Sequence, residues 1–103
     1  MSGIERIAKE RQRQIDVEGF DERHDDYYVG SAMLWAAVIY TQLAVALTEG
    51  MPPDEIVVEP PKGWPWRQGW WKPSPDPIRN LEKAGALIAA EIDRLERERA
   101  RNT

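Results

Sequence analysis

At 103 residues the chain has room for one domain. Eighteen acidic against fourteen basic side chains leave a formal charge of −4, which argues against indiscriminate binding to nucleic-acid backbone. The absence of cysteine and the single histidine, His24, exclude disulfides, thiolate chemistry and a histidine-rich zinc site within one chain.

The first expected helix covers residues 2–17. Ser2 is its N-cap and Glu5, three positions later, completes a capping box. Ile4, Ile7, Ala8 and Ile15 form its apolar stripe, broken by Arg11. Gly19 supplies the left-handed residue that ends such a helix. The opening segment, MSGIERIAKERQRQ, is charged throughout and does not read as a secretory leader.

A loop, FDERHDD, leads to a second helix over 27–49, whose core MLWAAVIYTQLAVAL is apolar almost all the way round. Such a helix has to be covered on several sides, which two modest partners can hardly do, so a homo-oligomer is expected. The apolar run 32–47 is interrupted by Thr41 and Gln42 and is too short to span a bilayer. The expected location is the cytoplasm, with no membrane association. Gly50 and Met51-Pro52-Pro53 stop the helix.

Residues 51–75 form a long loop rich in proline and tryptophan, in which the DEIVVE piece reads as loop rather than strand. The third helix covers 77–99, with Asp76 as N-cap, Pro77 at its first position, and a stripe of Leu81, Ala84, Leu87, Ile88, Ile92 and Leu95. The expected architecture is all-α: one helical domain over 1–103, three antiparallel helices, and a long loop before the last of them. Homo-oligomerisation would complete it.

Three constellations can carry chemistry. In GWPWRQGWW (63–71), Trp64, Trp66, Trp70 and Trp71 either fold back to staple the loop or offer a platform for a base. Lys62, Arg67 and Lys72 stand nearby for phosphates. In ERHDD, one of Asp25 and Asp26 serves as a helix cap. The other, with His24 and an acid from another helix (Glu10 or Glu91), could hold a hard divalent cation such as Mg²⁺. Arg79 and Lys83, four apart on the third helix, share a face suited to phosphate or to pairing with Glu82. Motifs for covalent catalysis are absent from the sequence, so any hydrolysis would be metal-assisted.

The stretches ERQRQIDVEGF, ERHDD, AAVIY, WPWRQGWWKP and DPIRNLEKAGALIAAEIDRLER together resemble a family of small phage and prophage proteins over about residues 10–97. The layout is remotely similar to the all-α MazG-like nucleoside triphosphate pyrophosphohydrolases. That resemblance implies Mg²⁺ held by Asp25, Asp26 and Glu91, with Arg79 and Lys83 near phosphate. The chain departs from that pattern where Gly30-Ser31-Ala32-Met33-Leu34-Trp35 stands, since no acid occurs between Asp26 and Glu49.

Two functional expectations result. The first is a phage-derived binding protein in the host cytoplasm, using Trp64, Trp66, Trp71, Lys72, Arg79, Lys83 and His24 to sequester a nucleotide, or blocking a host defence protein. The second, ranked slightly behind, is a Mg²⁺-dependent pyrophosphohydrolase.

Overall fold

The computed structural model describes residues 1–27 and 31–102. Helices α1 (Gly3–Asp16), α2 (Glu22–Tyr27), α3 (Ala32–Thr48) and α4 (Pro77–Arg101) account for the regular structure, with single 3₁₀ turns at Pro53–Glu55 and Gln68–Trp70. The all-α expectation holds, with four helices among the described residues rather than three. Residues 28–30, which the second expected helix was to cross, lie outside the described part.

Local chemistry explains the ends. Ser2 Oγ accepts from the Glu5 N–H and Glu5 Oε1 from the Ser2 N–H, each at 3.1 Å, so the capping box is closed at both bonds. At the other end of α1, Gly19 takes φ +74°, and the Phe20 N–H reaches back to the Gln14 carbonyl at 2.9 Å. That is the glycine-terminated helix ending expected there. Asp76 caps α4 through the Ile78 N–H at 2.9 Å, and Pro77 sits at its first turn.

The ERHDD segment is not a loop. Asp21 Oδ1 accepts from the His24 N–H at 3.0 Å, which starts the short helix α2 and makes Asp21, not Asp25, the capping residue.

Helix α4 is the spine. Helix α3 packs along it through Met33, Ala36, Ala37 and Tyr40 against Ala84, Leu87 and Ala90, and Trp71 from the loop completes the same core. Helix α1 packs on a second face of α4. Its buried residues are Glu10 and Gln14, Ile7 and Ile15 are half-buried and Ile4 is 83% exposed, so its inward stripe joins part of the expected apolar set to two polar residues. The reason is the partner: Arg79 Nη1 of α4 meets Glu10 Oε1 at 2.7 Å. The apolar stripe of α4 also divides. Ala84 and Leu87 are buried, whereas Leu81, Ile88, Ile92 and Leu95 are exposed.

Where α1 crosses α4, a Cβ on Gly85 would stand 2.6 Å from Ile7 Cδ1 and 2.7 Å from Cγ1. Glycine to alanine inside a helix ordinarily gains up to about 1 kcal/mol. Here Gly85→Ala is expected to lower the melting temperature, because the branched Ile7 side chain has to give way. The double variant Ile7→Ala/Gly85→Ala should recover the helical gain. A single Gly85→Ala variant that melts above the parent would show that α1 does not rest on this glycine.

Candidate functional site

The aromatic loop, α1, α3 and α4 converge on one cleft. Helix α1 contributes Glu10, Arg13 and Gln14, followed by Glu18 and Phe20. Tyr40 comes from α3, Trp64, Trp66, Trp70 and Lys72 from the loop, and Lys83 and Leu87 from α4. The enclosed space is about 30 Å³, roughly that of one water molecule. There is no room for a ligand behind the aromatic wall, so a larger molecule would have to sit at the mouth.

Two layers of tryptophan build the wall. Trp71 is only 7% exposed and lies 4.9 Å from the Tyr40 ring and 5.1 Å from Trp64. Its indole N–H reaches the Val57 carbonyl at 3.4 Å, and that of Trp64 the Arg67 carbonyl at 3.2 Å. Trp64 stands edge-on to Trp66 at 5.6 Å. Trp70 is 39% exposed, packed 5.2 Å from Phe20, with Lys72 Nζ 5.9 Å from its ring centre. The loop is held down at both sides by polar bonds. The Lys72 N–H donates to Tyr40 Oη at 3.1 Å, and buried Asn80 accepts from the Ser74 N–H at 2.9 Å while donating to the Ser74 carbonyl at 2.8 Å. Burial pushes the Tyr40 hydroxyl up to about 12, so it stays protonated as the acceptor of that N–H.

The charged floor is an ion-pair chain. Glu10 is held by Arg13 at 2.7 Å and Arg79 at 2.7 Å, Glu18 by Arg13 at 3.0 Å and Lys72 at 3.4 Å. Burial alone would raise the Glu10 carboxyl, but the hydrogen bonds from Arg13 and Arg79 outweigh it and hold it below its ordinary value. Lys83 Nζ donates to the Lys72 carbonyl at 2.5 Å and lies 5.5 Å from the Tyr40 ring centre. Burial, assisted by the nearby Arg79 charge, lowers its ammonium to about 8. Gln14 is 3% exposed, and its Oε1 has no hydrogen-bond partner among the described residues, leaving a carbonyl acceptor in the lining.

The sequence-derived candidates are distributed unevenly. Trp64, Trp66, Lys72 and Lys83 line the cleft, while Trp71 backs the wall as a core residue and Arg79 acts from behind through Glu10. His24 is stacked on Phe20 at 4.3 Å, and its Nδ1 is 3.0 Å from Asp25 Oδ1. Tyr40, Phe20, Gln14 and Arg13 were not singled out from sequence. Nothing in the spacing of Glu10, Arg13 and Gln14 set them apart from a wet helix face, because the charge that buries Glu10 comes from Arg79 on α4.

The acids expected to hold Mg²⁺ stand differently. Asp25 is fully buried, with Oδ2 on Arg11 Nη2 at 2.7 Å and Oδ1 on His24, so it is not a helix cap. Glu91 is buried against Arg94, at 2.5 and 3.3 Å. The Asp26 side chain lies outside the described part. Among the described residues no group of three or more acidic or histidine side chains is placed to hold a metal ion. With their oxygens engaged by arginine and histidine, Asp25 and Glu91 do not fit a shared Mg²⁺ site as they stand.

No described helix is long and apolar enough to cross a membrane. Comparison of the chain with protein-family models, with curated proteins and with solved structures finds no match.

Proposed function

We propose that the protein is a small ligand-binding module that takes a nucleotide-class molecule at the mouth of the aromatic cleft and sequesters it without turnover. The observation that carries the reading is Trp70, a half-exposed indole packed on Phe20 with a lysine ammonium across its face. A base stacked on Trp70 gains the contact now made by Lys72, and stacking on an aromatic platform contributes about 1–3 kcal/mol per base. Lys72 and Lys83 then meet the phosphates. With both protonated, the lining holds three cations (Arg13, Lys72, Lys83) against two carboxylates (Glu10, Glu18), which favours an anion. The resemblance to phage-encoded proteins supports sequestration in a host cytoplasm, by a self-associating chain. The metal-dependent hydrolysis implied by the same resemblance would require Asp25 and Glu91 to leave their arginine partners.

The test is intrinsic tryptophan fluorescence during titration with nucleoside triphosphates and cyclic dinucleotides, with and without Mg²⁺. Quenching is expected, independent of Mg²⁺ and abolished by Trp70→Ala with little loss of stability. Product analysis of the bound nucleotide should show it intact. A flat response across the panel would reject nucleotide binding and favour blockade of a host protein.

The response should also depend on pH. Because the Lys83 ammonium titrates near 8 rather than its ordinary 10.5, affinity for a phosphate is expected to fall as pH rises past about 8. Stability moves the other way between those values: the folded state there binds fewer protons than the unfolded, so unfolding becomes harder as pH rises. In Lys83→Met both dependences should flatten; an unchanged affinity profile would show that Lys83 does not meet the ligand.

A further inference from the structure

The chain has four lysines, Lys9, Lys62, Lys72 and Lys83, and their settings differ. Lys72 is 55% exposed and paired with Glu18 at 3.4 Å. Lys83 is half-buried in the cleft lining, and its Nζ donates to a neutral partner, the Lys72 carbonyl. It makes no ion pair among the described residues. Charged and titratable groups face it from every side: Glu10 and Arg13 of α1, Glu18 just beyond, Tyr40 of α3, Lys72 of the loop, and Arg79 one turn earlier on α4. Burial first, and then the Arg79 charge, lower its ammonium to about 8. At pH 7 roughly a tenth of the molecules then carry a free amine, against roughly one in three thousand for an ordinary lysine. A desolvated lysine beside another cation is a recognised form of activated nucleophile.

We propose that Lys83 is a carbamate site, at which the cleft captures carbon dioxide reversibly on the Lys83 amine. The Nζ lone pair attacks the carbon, one C=O electron pair moves onto oxygen, and an N–H proton leaves to water. The product is an N-carboxylate and one released proton, with no oxidant or reductant involved. Two features select carbon dioxide among electrophiles. The cleft space of about 30 Å³ favours the smallest carbon electrophile over bulkier aldehydes or acyl donors. The product is also an anion, so the positive field of Arg79 and Arg13 that disfavours the ammonium favours the carbamate. An imine or an acetylated lysine gains nothing from that field. The carbamate nitrogen keeps one N–H, so the bond to the Lys72 carbonyl survives the reaction. Capture replaces a cation of the lining with an anion, leaving Arg13 and Lys72 against Glu10, Glu18 and the new carboxylate. A phosphate at the mouth would then be repelled. That consequence rests on the nucleotide reading; the carbamate itself does not.

The test uses the full chain in carbon-labelled bicarbonate near pH 7.5. Ethylation with a trialkyloxonium salt fixes any carbamate, and peptide mass spectrometry locates it. Lys83 is expected to carry the label about ten-fold or more above Lys9, Lys62 and Lys72. In urea the preference should vanish, because the fold creates it. Carbon NMR of the untrapped protein should show a carbamate resonance that is lost in Lys83→Arg. An unlabelled Lys83, a label spread evenly over the four lysines, or a preference that survives unfolding would each overturn the proposal. The ligand reading is separated by repeating the nucleotide titration in bicarbonate and in chloride at equal ionic strength. Several-fold weaker quenching in bicarbonate is expected. A labelled Lys83 in a chain that never responds to nucleotides would remove the ligand reading and leave the carbamate site standing.

Discussion

Trp71→Ala is expected to destabilise the fold by roughly 3–5 kcal/mol, the range for removing a buried aromatic from a core. Domains of this size hold only about 5–15 kcal/mol in total, so the variant should be folded only marginally. The loss has three sources. The ring fills the space between Tyr40 and Trp64 in the core; its indole N–H holds the Val57 carbonyl; and the next residue, Lys72, donates its N–H to Tyr40. Without the ring, the loop loses its deepest anchor, and the Tyr40 hydroxyl loses a partner held in register. Urea denaturation followed by circular dichroism measures the effect. Trp70→Ala supplies the contrast, since that ring is 39% exposed and its loss should change the midpoint little. Equal midpoints for the two variants would show that the loop is not organised in an inner and an outer aromatic layer.

That layering indicates what could be read from the chain alone. Helix ends were legible because the responsible groups are neighbours in sequence: Ser2 with Glu5, Gly19 after α1, Asp76 with Pro77. The anchoring role of the tryptophans was legible as well, because four large apolar rings in a proline-rich loop have to be covered somewhere. The division of labour among them was not, since it depends on Tyr40 and Phe20, which reach the loop from α3 and from the end of α1. The polar inward face of α1 was hidden for a similar reason. Glu10 was weighed only as a partner for a divalent cation, and its burial rests on Arg79, 69 positions away, which supplies the charge that lets it be buried. Asn80 reads as an ordinary early-helix residue, and only the fold brings Ser74 back to both ends of its amide. The stripe on α4 was visible, but periodicity cannot say which half faces α3 and which is left for another surface.

Asp25 separates the structural from the metal-binding account most sharply. Its carboxylate is fully buried between the Arg11 guanidinium and His24, and Arg11 also donates to the Phe20 carbonyl at 2.7 Å. Asp25→Ala leaves the 13%-exposed Arg11 side chain without its counter-charge, and breaking a buried pair from one side typically costs 3–5 kcal/mol. Removing both charges should cost less: Arg11→Met/Asp25→Leu leaves no unpaired ion, although the Phe20 carbonyl loses its donor, at about 1–3 kcal/mol. The expected order of denaturation midpoints is therefore parent, then the double variant, then Asp25→Ala. Phe20 and His24 are stacked together, so loosening Arg11 loosens the ring on which Trp70 rests, and the nucleotide response should weaken along with stability. A carboxylate whose task is to bind Mg²⁺ predicts the reverse pattern. Asp25→Asn would then melt at or above the parent temperature and lose only a Mg²⁺-dependent signal, because the amide keeps the shape and removes a charge awaiting its ion. A clear fall in the Asp25→Asn melting temperature, with no Mg²⁺-dependent signal in the parent to lose, is the result that the Arg11–Asp25–His24 arrangement requires.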